Sequence, residues 1–248
     1  MTSRRMILLT GPDTETFLQG LITNDIAKLD SGLVYAALLT PQGKYIADFF
    51  LSRQKDGVLI DVAEPLADDL KQRLTLYKLR ANVTITEPPL NLQRGTGTAP
   101  ESAPDGAMAD PRHPDMGWRA YSEAPESDDG TDWDAIRVAH CIPESGIELS
   151  PDTFILEVGF GALNGVDFRK GCYVGQEVTA RMKHKTELRK GLRTVSIDGE
   201  APVGTEIIAG GKPAGTLFTQ SGGRAIAYLR FDRAGPDMLA QDARVHAD

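Results

Sequence analysis

The chain has 248 residues, 41% of them apolar and 25% charged, enough to bury a core as one large domain or two to three small ones. Its 27 Lys and Arg stand against 35 Asp and Glu, a net charge of -8, which argues against a dedicated nucleic-acid binder because neutralising phosphates needs positive surface. No apolar run approaches the ~20 residues of a membrane span, and two cysteines, too few for a disulfide framework, suit a reducing cytoplasm.

The first ten residues hold two arginines and an apolar stretch too short for a signal peptide. Asp13 to Leu21 predicts a helix, with Pro12 suited to its first turn, an apolar face of Phe17, Leu18 and Leu21, and Gly20 at its stop. Leu33–Thr40 and Tyr45–Leu51 read as strands around Thr40-Pro41-Gln42-Gly43-Lys44, a turn built on Pro and Gly. Gly57–Ala63 is a third strand. Pro65 opens a helix with Leu66, Leu70, Leu74 and Tyr77 near four-residue spacing. Val83–Thr86 returns as a strand, so the first part of the chain is α+β.

Residues 94 to 130 are rich in Pro, Gly and acid and read as a partly mobile loop with short strands near Trp118 to Tyr121. Thr131 or Asp132 caps a helix running to about His140. After Gly191 the pattern turns to short strands, Leu192–Ile197, Thr205–Ala209, Gly215–Phe218 and Ala225–Phe231, separated by Gly-Gly and Pro turns. That predicts a small all-β barrel or sandwich. The domains are then 1–190, an α+β region, and 191–248.

Just before this boundary lies Lys170-Gly171-Cys172-Tyr173-Val174-Gly175-Gln176-Glu177. Two glycines bracket a thiol, which reads as a tight loop rather than a helix or strand. A basic run follows: Arg181, Lys183, His184, Lys185, Arg189, Lys190 and Arg193. Residues 169–193 hold eight Lys and Arg against two acids, while the remaining chain holds 19 against 33. Such an island can hold a carboxylate-bearing cofactor, a phosphate or RNA, or be a solvated helix or strand face. A thiol among cations ionises more easily, and the thiolate is the reactive form. The loop falls where two domains meet, a favoured place for a ligand.

A permanent metal centre is not predicted. A cluster usually takes four thiolates, and Cys141 and Cys172 are 31 positions apart with no Cys-x-x-Cys. His113, His140, His184 and His246 are scattered, without zinc-type spacing.

The octet, followed by Val178-Thr179-Ala180-Arg181, resembles the signature of the YgfZ folate-binding proteins, relatives of the glycine-cleavage T-protein, an aminomethyltransferase. Phe17-Leu18-Gln19-Gly20-Leu21-Ile22-Thr23-Asn24-Asp25, the Thr40–Lys44 turn, Tyr77-Lys78-Leu79-Arg80, Asp110-Pro111-Arg112 and Ile142-Pro143-Glu144 fall in the family's order. The resemblance implies an α+β fold of antiparallel sheets and helices, arranged as a ring around a central folate-sized channel, with a small C-terminal β-barrel. It implies tetrahydrofolate as ligand, with no permanent metal. It also implies a role in assembly or repair of iron–sulfur proteins, linked to iron–sulfur-dependent tRNA modification, and partners among client proteins or the assembly machinery. A folate-dependent aminomethyltransferase is the alternative, since fold does not carry activity.

On that resemblance Cys172 is the functional thiol, the alternative being a buried small hydrophobe. Asn24, Asp25, Asp48, Trp133, Glu157, Tyr173 and Arg181 are candidate folate contacts. Glu157 offers acceptors suited to a pterin edge, or is a solvent-facing glutamate at a strand edge. Trp133 offers a stacking face or a core anchor. Asn24 and Asp25 touch ligand or end the first helix. Lys170 and Arg181 hold a thiolate or a glutamate tail, or are surface charges; Tyr173 could be core packing; Gln176 and Glu177 contact ligand or fix the loop. T-proteins carry an Asp-Asp pair after the first hairpin turn, where this chain reads Ala47-Asp48, which removes one carboxylate from that chemistry. Cys141 is taken as structural and His184 as solvent-facing.

Overall fold

A computed structural model describes residues 2–126, 129–185 and 187–247; of the basic run, the Lys185 side chain lies outside the described residues. The chain begins with β1 (Arg4–Thr10) and α1 (Thr14–Gln19), then forms β2 (Val34–Leu39), β3 (Tyr45–Gln54), β4 (Gly57–Ala63), α2 (Glu64–Tyr77) and β5 (Thr84–Thr86). These strands make one antiparallel sheet in the order β2-β3-β4-β1-β5. The predicted hairpin turn closes with Gly43 N–H donating to Thr40 O at 2.8 Å and Thr40 N–H to Lys44 O at 2.8 Å. Gly43 has φ +75, which glycine adopts without steric cost.

The β2–β3 pair is buried on both faces, and the two-residue period of a strand sends alternate side chains into different cores. Val34, Ala36, Leu38, Phe49 and Leu51 enter one core with Leu18, Ile22, Leu70 and Leu74. Tyr35, Ala37, Leu39, Tyr45 and Phe50 enter a second core with Trp133, Ile155, Phe160 and Tyr173. One hairpin therefore forms the wall between two hydrophobic layers.

Next come β6 (Asn91–Gly95), β7 (Met108–Ala109) and β8 (Trp118–Ser122), a small sheet in the order β6-β8-β7. It meets the first sheet through buried charge. Asp61 on β4 is fully buried and takes Arg4 Nε at 2.5 Å, Arg119 Nη1 at 2.6 Å and the Tyr121 hydroxyl at 3.1 Å. Asp110 accepts from Arg112 Nε at 3.0 Å, Arg112 Nη2 at 2.8 Å and Arg119 Nε at 3.0 Å. The guanidinium carbons of Arg4, Arg112 and Arg119 lie 5.7, 4.7 and 3.8 Å from the centre of the Phe50 ring. Five charged groups are thus paired and stacked, the condition under which buried charge is tolerated.

Asp132 accepts from Ala135 N–H and caps α3 (Trp133–His140). Cys141 ends that helix in the left-handed region, at φ 53, and burial pushes its thiol up to about 11, as befits a structural cysteine. After an irregular stretch come α4 (Gln176–Lys185) and six strands: β9 (Lys190–Asp198), β10 (Glu206–Ala209), β11 (Lys212–Ser221), β12 (Arg224–Arg230), β13 (Met238–Ala240) and β14 (Ala243–His246). They close into a barrel in the order β10-β11-β12-β9-β14-β13. The fold is the α+β, T-protein-like arrangement with a C-terminal barrel. α3 docks on the barrel through the fully buried Arg137, which bonds Glu148; Glu148 in turn accepts from the Thr219 hydroxyl on β11 at 2.5 Å.

Three expectations need correction. Gln176 and Glu177 open α4 instead of extending the loop, because Gly175 ends the loop and Thr179 and Val178 pack inward. Gly171 is not left-handed, whereas Gly175 is, at φ +82. Glu157 lies in a turn and not on a strand edge.

Burial raises the Asp110 carboxyl, but Arg112 and Arg119 outweigh it and hold the group at about 2. A carboxylate depressed in the fold stabilises it above the unfolded value, near pH 4, and loses that stabilisation as the pH falls through about 2, an effect of about 2 kcal/mol. Denaturant titrations of Asp110→Asn are expected to show about 3–5 kcal/mol lost at pH 7, since Arg112 keeps an unpaired buried charge. The gap to wild type should narrow between pH 4 and pH 2; a gap independent of pH would refute the assignment.

Candidate functional site

The segment carrying Cys172 is stitched to the end of α1. The Thr23 hydroxyl donates to Gly165 O at 2.7 Å, and Asp167 N–H donates to Thr23 O at 3.0 Å. Asn24 Nδ2 donates to Asn164 O at 2.6 Å and Tyr35 O at 2.8 Å, and its Oδ1 accepts from Lys28 Nζ and Asp25 N–H. Asp25 caps the following short turn through Ala27 N–H. Lys28 also pairs with Asp167 at 2.7 Å. Lys170 turns inward: its ammonium donates to Gln19 O at 2.8 Å and Ile22 O at 2.6 Å, and burial brings its pKa down to about 8. Lys170 therefore clamps two carbonyls at and just past the end of α1, while Asn24 ties the Asn164 carbonyl to that of Tyr35.

Beyond this clamp the chain surfaces for two residues. Gly171 and Cys172 are exposed, and Tyr173 is buried again in the second core, its ring 5.1 Å from the Lys170 ammonium. The chain is pinned a second time at Gly175. A Cβ there would lie 2.6 Å from Thr40 O and 3.1 Å from Gly43 Cα; one on Gly43 would lie 2.8 Å from Val178 Cβ. The cysteine loop and the first hairpin turn thus meet backbone to backbone, possible only with glycine on both sides. Gln176 N–H then donates to Tyr173 O at 3.2 Å as α4 starts, with Glu177 exposed. Arg181, Lys183 and His184 are exposed on α4, and the Lys183 ammonium sits 5.0 Å from the ring of the partly exposed Phe168. Lys190 and Arg193 leave the island for the barrel, Lys190 beside Tyr228 and Arg193 over Phe231.

The remaining candidates lie apart from the thiol loop. Asp48 is buried in β3 and accepts from the Tyr45 hydroxyl at 2.6 Å, the Ser145 hydroxyl at 2.5 Å and the Tyr35 hydroxyl at 3.0 Å. The cavity it lines with Arg4, Arg94, Arg112, Arg119 and Glu144 is about 10 Å³, room for about one water. A pterin does not fit there. Glu157 joins the turn to the barrel: its carbonyl accepts from Leu192 N–H at 2.8 Å, its Oε2 accepts from the Tyr228 hydroxyl at 2.6 Å, and Lys190 Nζ is 3.9 Å from Oε1. Burial, then the bond to Glu157, raises the Tyr228 phenol. Trp133 is buried, with the Arg94 guanidinium 4.6 Å over its ring. Among the carboxylates of the folate candidates, Oε1 of Glu157 and Oδ2 of Asp25 accept no hydrogen bond from the described residues.

Sequence reasoning did not find the Arg4–Asp61–Arg119–Asp110–Arg112 network; Asp110-Pro111-Arg112, noted in the family's order, was its one visible trace. Nor did it find that His113 and His140 converge.

Residues 189–248 match a family model described as the C-terminal β-barrel domain of CAF17. The chain is 30% identical over 270 residues to the mitochondrial iron–sulfur cluster assembly factor IBA57 of Homo sapiens, covering 92% of this chain and 76% of that protein. The Mus musculus protein gives 30% over 278 residues, covering 93% and 76%. The homolog from Mycosarcoma maydis gives 32% over 216 residues, covering 75% of this chain but 54% of that protein, so this chain spans about half the length of that fungal relative. These relatives are mitochondrial proteins, which overturns the expectation of a cytoplasmic one. Among solved structures, the glycine cleavage system aminomethyltransferase T from Bartonella henselae superposes with a TM-score of 0.73 at 13% identity, over 98% of this chain and 83% of that one. That likeness speaks to the fold alone.

The two bracketing glycines are expected to behave differently. Gly175→Ala forces a left-handed alanine into the carbonyl of Thr40 and should cost at least about 2 kcal/mol. Gly171→Ala meets nothing within 4 Å and should stay within about 0.5 kcal/mol of wild type. Urea unfolding distinguishes them; equal losses would show that the second pin is not the Gly43–Gly175 contact.

Proposed function

The chain belongs to the family of IBA57 iron–sulfur cluster assembly factors, and from that premise we propose that it serves iron–sulfur cluster assembly by presenting the Cys172 thiol to cargo held by a partner protein. The observation that carries this reading is the exposed two-residue outcrop of Gly171 and Cys172 between two fixed points, the Lys170 clamp and the buried Tyr173. The cluster is cargo here, not a resident cofactor. A cluster commonly takes four thiolates. One exposed thiol on this chain leaves the other ligands to the partner. Binding requires the thiolate, so iron displaces the thiol proton. The exposed cations of α4 and the aromatic edge of Phe168 flank the segment and suit an acidic partner surface or an anionic iron–sulfur thiolate. Iron–sulfur-dependent tRNA-modifying enzymes are one client class within this proposal.

The aminomethyltransferase alternative finds less support. Its pair of acids is reduced to Asp48, and three hydroxyls hold that carboxylate in a cavity of about 10 Å³. Tetrahydrofolate, the ligand the resemblance implied, enters the proposal in one form only: as a competitor of Tyr228 for Glu157, since both need the same carboxylate.

Cys172→Ser is expected to fold as wild type, within about 0.5 kcal/mol, because the side chain is exposed. It should fail to restore activity of an iron–sulfur enzyme in cells lacking the wild-type protein, while Cys141→Ser restores it. Full restoration by Cys172→Ser would sink the proposal. For folate, Tyr228→Phe should tighten tetrahydrofolate binding and Glu157→Gln should weaken it by roughly ten-fold or more, the worth of a hydrogen bond to a charged group. Calorimetry showing the same affinity in wild type and both variants would remove folate from Glu157.

A further inference from the structure

Two of the four histidines meet on the surface far from one another in sequence. His113 precedes the short turn Pro114–Met116 and caps it, its Nδ1 accepting from Asp115 N–H at 3.2 Å. His140 is the last residue of α3. Their rings stack with centroids 3.6 Å apart and planes 22° from parallel. Asp115 Oδ2 lies 2.6 Å from His140 Nε2 and 3.8 Å from His113 Nδ1. One ligand atom from each of the three residues falls within 4.8 Å of the others.

Two imidazoles and a carboxylate are a donor set suited to zinc, cobalt or ferrous iron, with positions left open to solvent. Their backbones are held firmly. Pro111 O accepts from Asn164 Nδ2 at 2.8 Å, Arg112 is clamped on Asp110, Met116 is buried, and Cys141 ends α3. A site on such fixed elements is already largely organised. We propose that His113, Asp115 and His140 form a binding site for a single divalent first-row transition metal ion. Metal–ligand bonds of about 2.0–2.2 Å require ligand atoms slightly farther apart than the present 2.6 Å contact. The ion therefore enters by lengthening the His140–Asp115 contact and rotating the His113 ring out of the stack. Without metal, His140 and Asp115 contact one another directly at the C-terminal end of α3. The proposal uses none of the residues assigned to cluster assembly, so each can fail without the other.

The test is titration of the chelator-treated full chain with cobalt(II), read by visible absorption, and with zinc(II), read by calorimetry. One ion per chain is expected. His113→Ala, His140→Ala and Asp115→Asn should each weaken it by at least about ten-fold, the smallest loss seen even for outer-shell partners of a metal. His246→Ala and Cys172→Ser should bind as wild type, and urea midpoints confirm that every variant is folded. Equal binding by the three ligand variants, loss of binding in Cys172→Ser, or no saturable binding by wild type would each overturn the site.

Discussion

The contact between Gly43 and Gly175 sets the position of everything around the thiol. A hairpin turn and a loop more than a hundred residues later meet through backbone atoms alone, so neither can carry a side chain at that point. The contact fixes where α4 begins, since Val178 covers Gly43 and Thr179 is buried one residue on. It also fixes the far end of the cysteine segment. The near end is fixed by Lys170 on the carbonyls of Gln19 and Ile22 and by Asn24 on the carbonyl of Asn164. Between these anchors the chain has room for one short excursion, and Cys172 occupies it. Exposure of the thiol is therefore set by the packing and hydrogen bonds at these two anchors.

The interior around Phe50 is filled by paired charge. The β2–β3 hairpin separates two cores, and Phe50 on its inner face is covered by three guanidinium groups. Those arginines are held by Asp61 and Asp110, both buried. Removing any one partner leaves a buried charge, so the five groups stand or fall together. Asp48 completes it with three hydroxyl donors. The interior acid is held by internal hydrogen bonds, while the Cys172 thiol stands outside.

Much of this was legible in the sequence where local physics decided it. The Thr40–Lys44 turn, the four-residue apolar spacing of α2 and four of the six barrel strands followed from turn residues and periodicity. β13 and β14, of three and four residues, were missed. The start of α4 was missed because its helix is selected by docking onto Gly43, a contact no local pattern records. Lys170 was read as a partner for anions because charge is visible in sequence and direction is not; it faces carbonyls about 150 residues away. Asn24 and Asp25 do not end the first helix with their side chains: Asn24 holds the carbonyls of Tyr35 and Asn164, and Asp25 caps the turn that follows. His113 and His140 looked scattered because the fold, not spacing, brings them together.

A single rigid thiol is also the right kind of group for a hand-over. A chain that supplied all the ligands of a cluster would bind it tightly and release it slowly, whereas one ligand contributes a bond that a client thiolate can replace. Holding that one ligand in place matters because ordering a flexible segment costs about 0.5–1.5 kcal/mol for each immobilised side chain. Here the ordering is done on folding, by Gly175 against Gly43 and by Lys170 against the end of α1. On the proposed function, a partner would meet a thiol whose backbone no longer has to be arranged. On the same proposal, specificity would fall to the rim, where the exposed cations of α4 and the edge of Phe168 would steer approach.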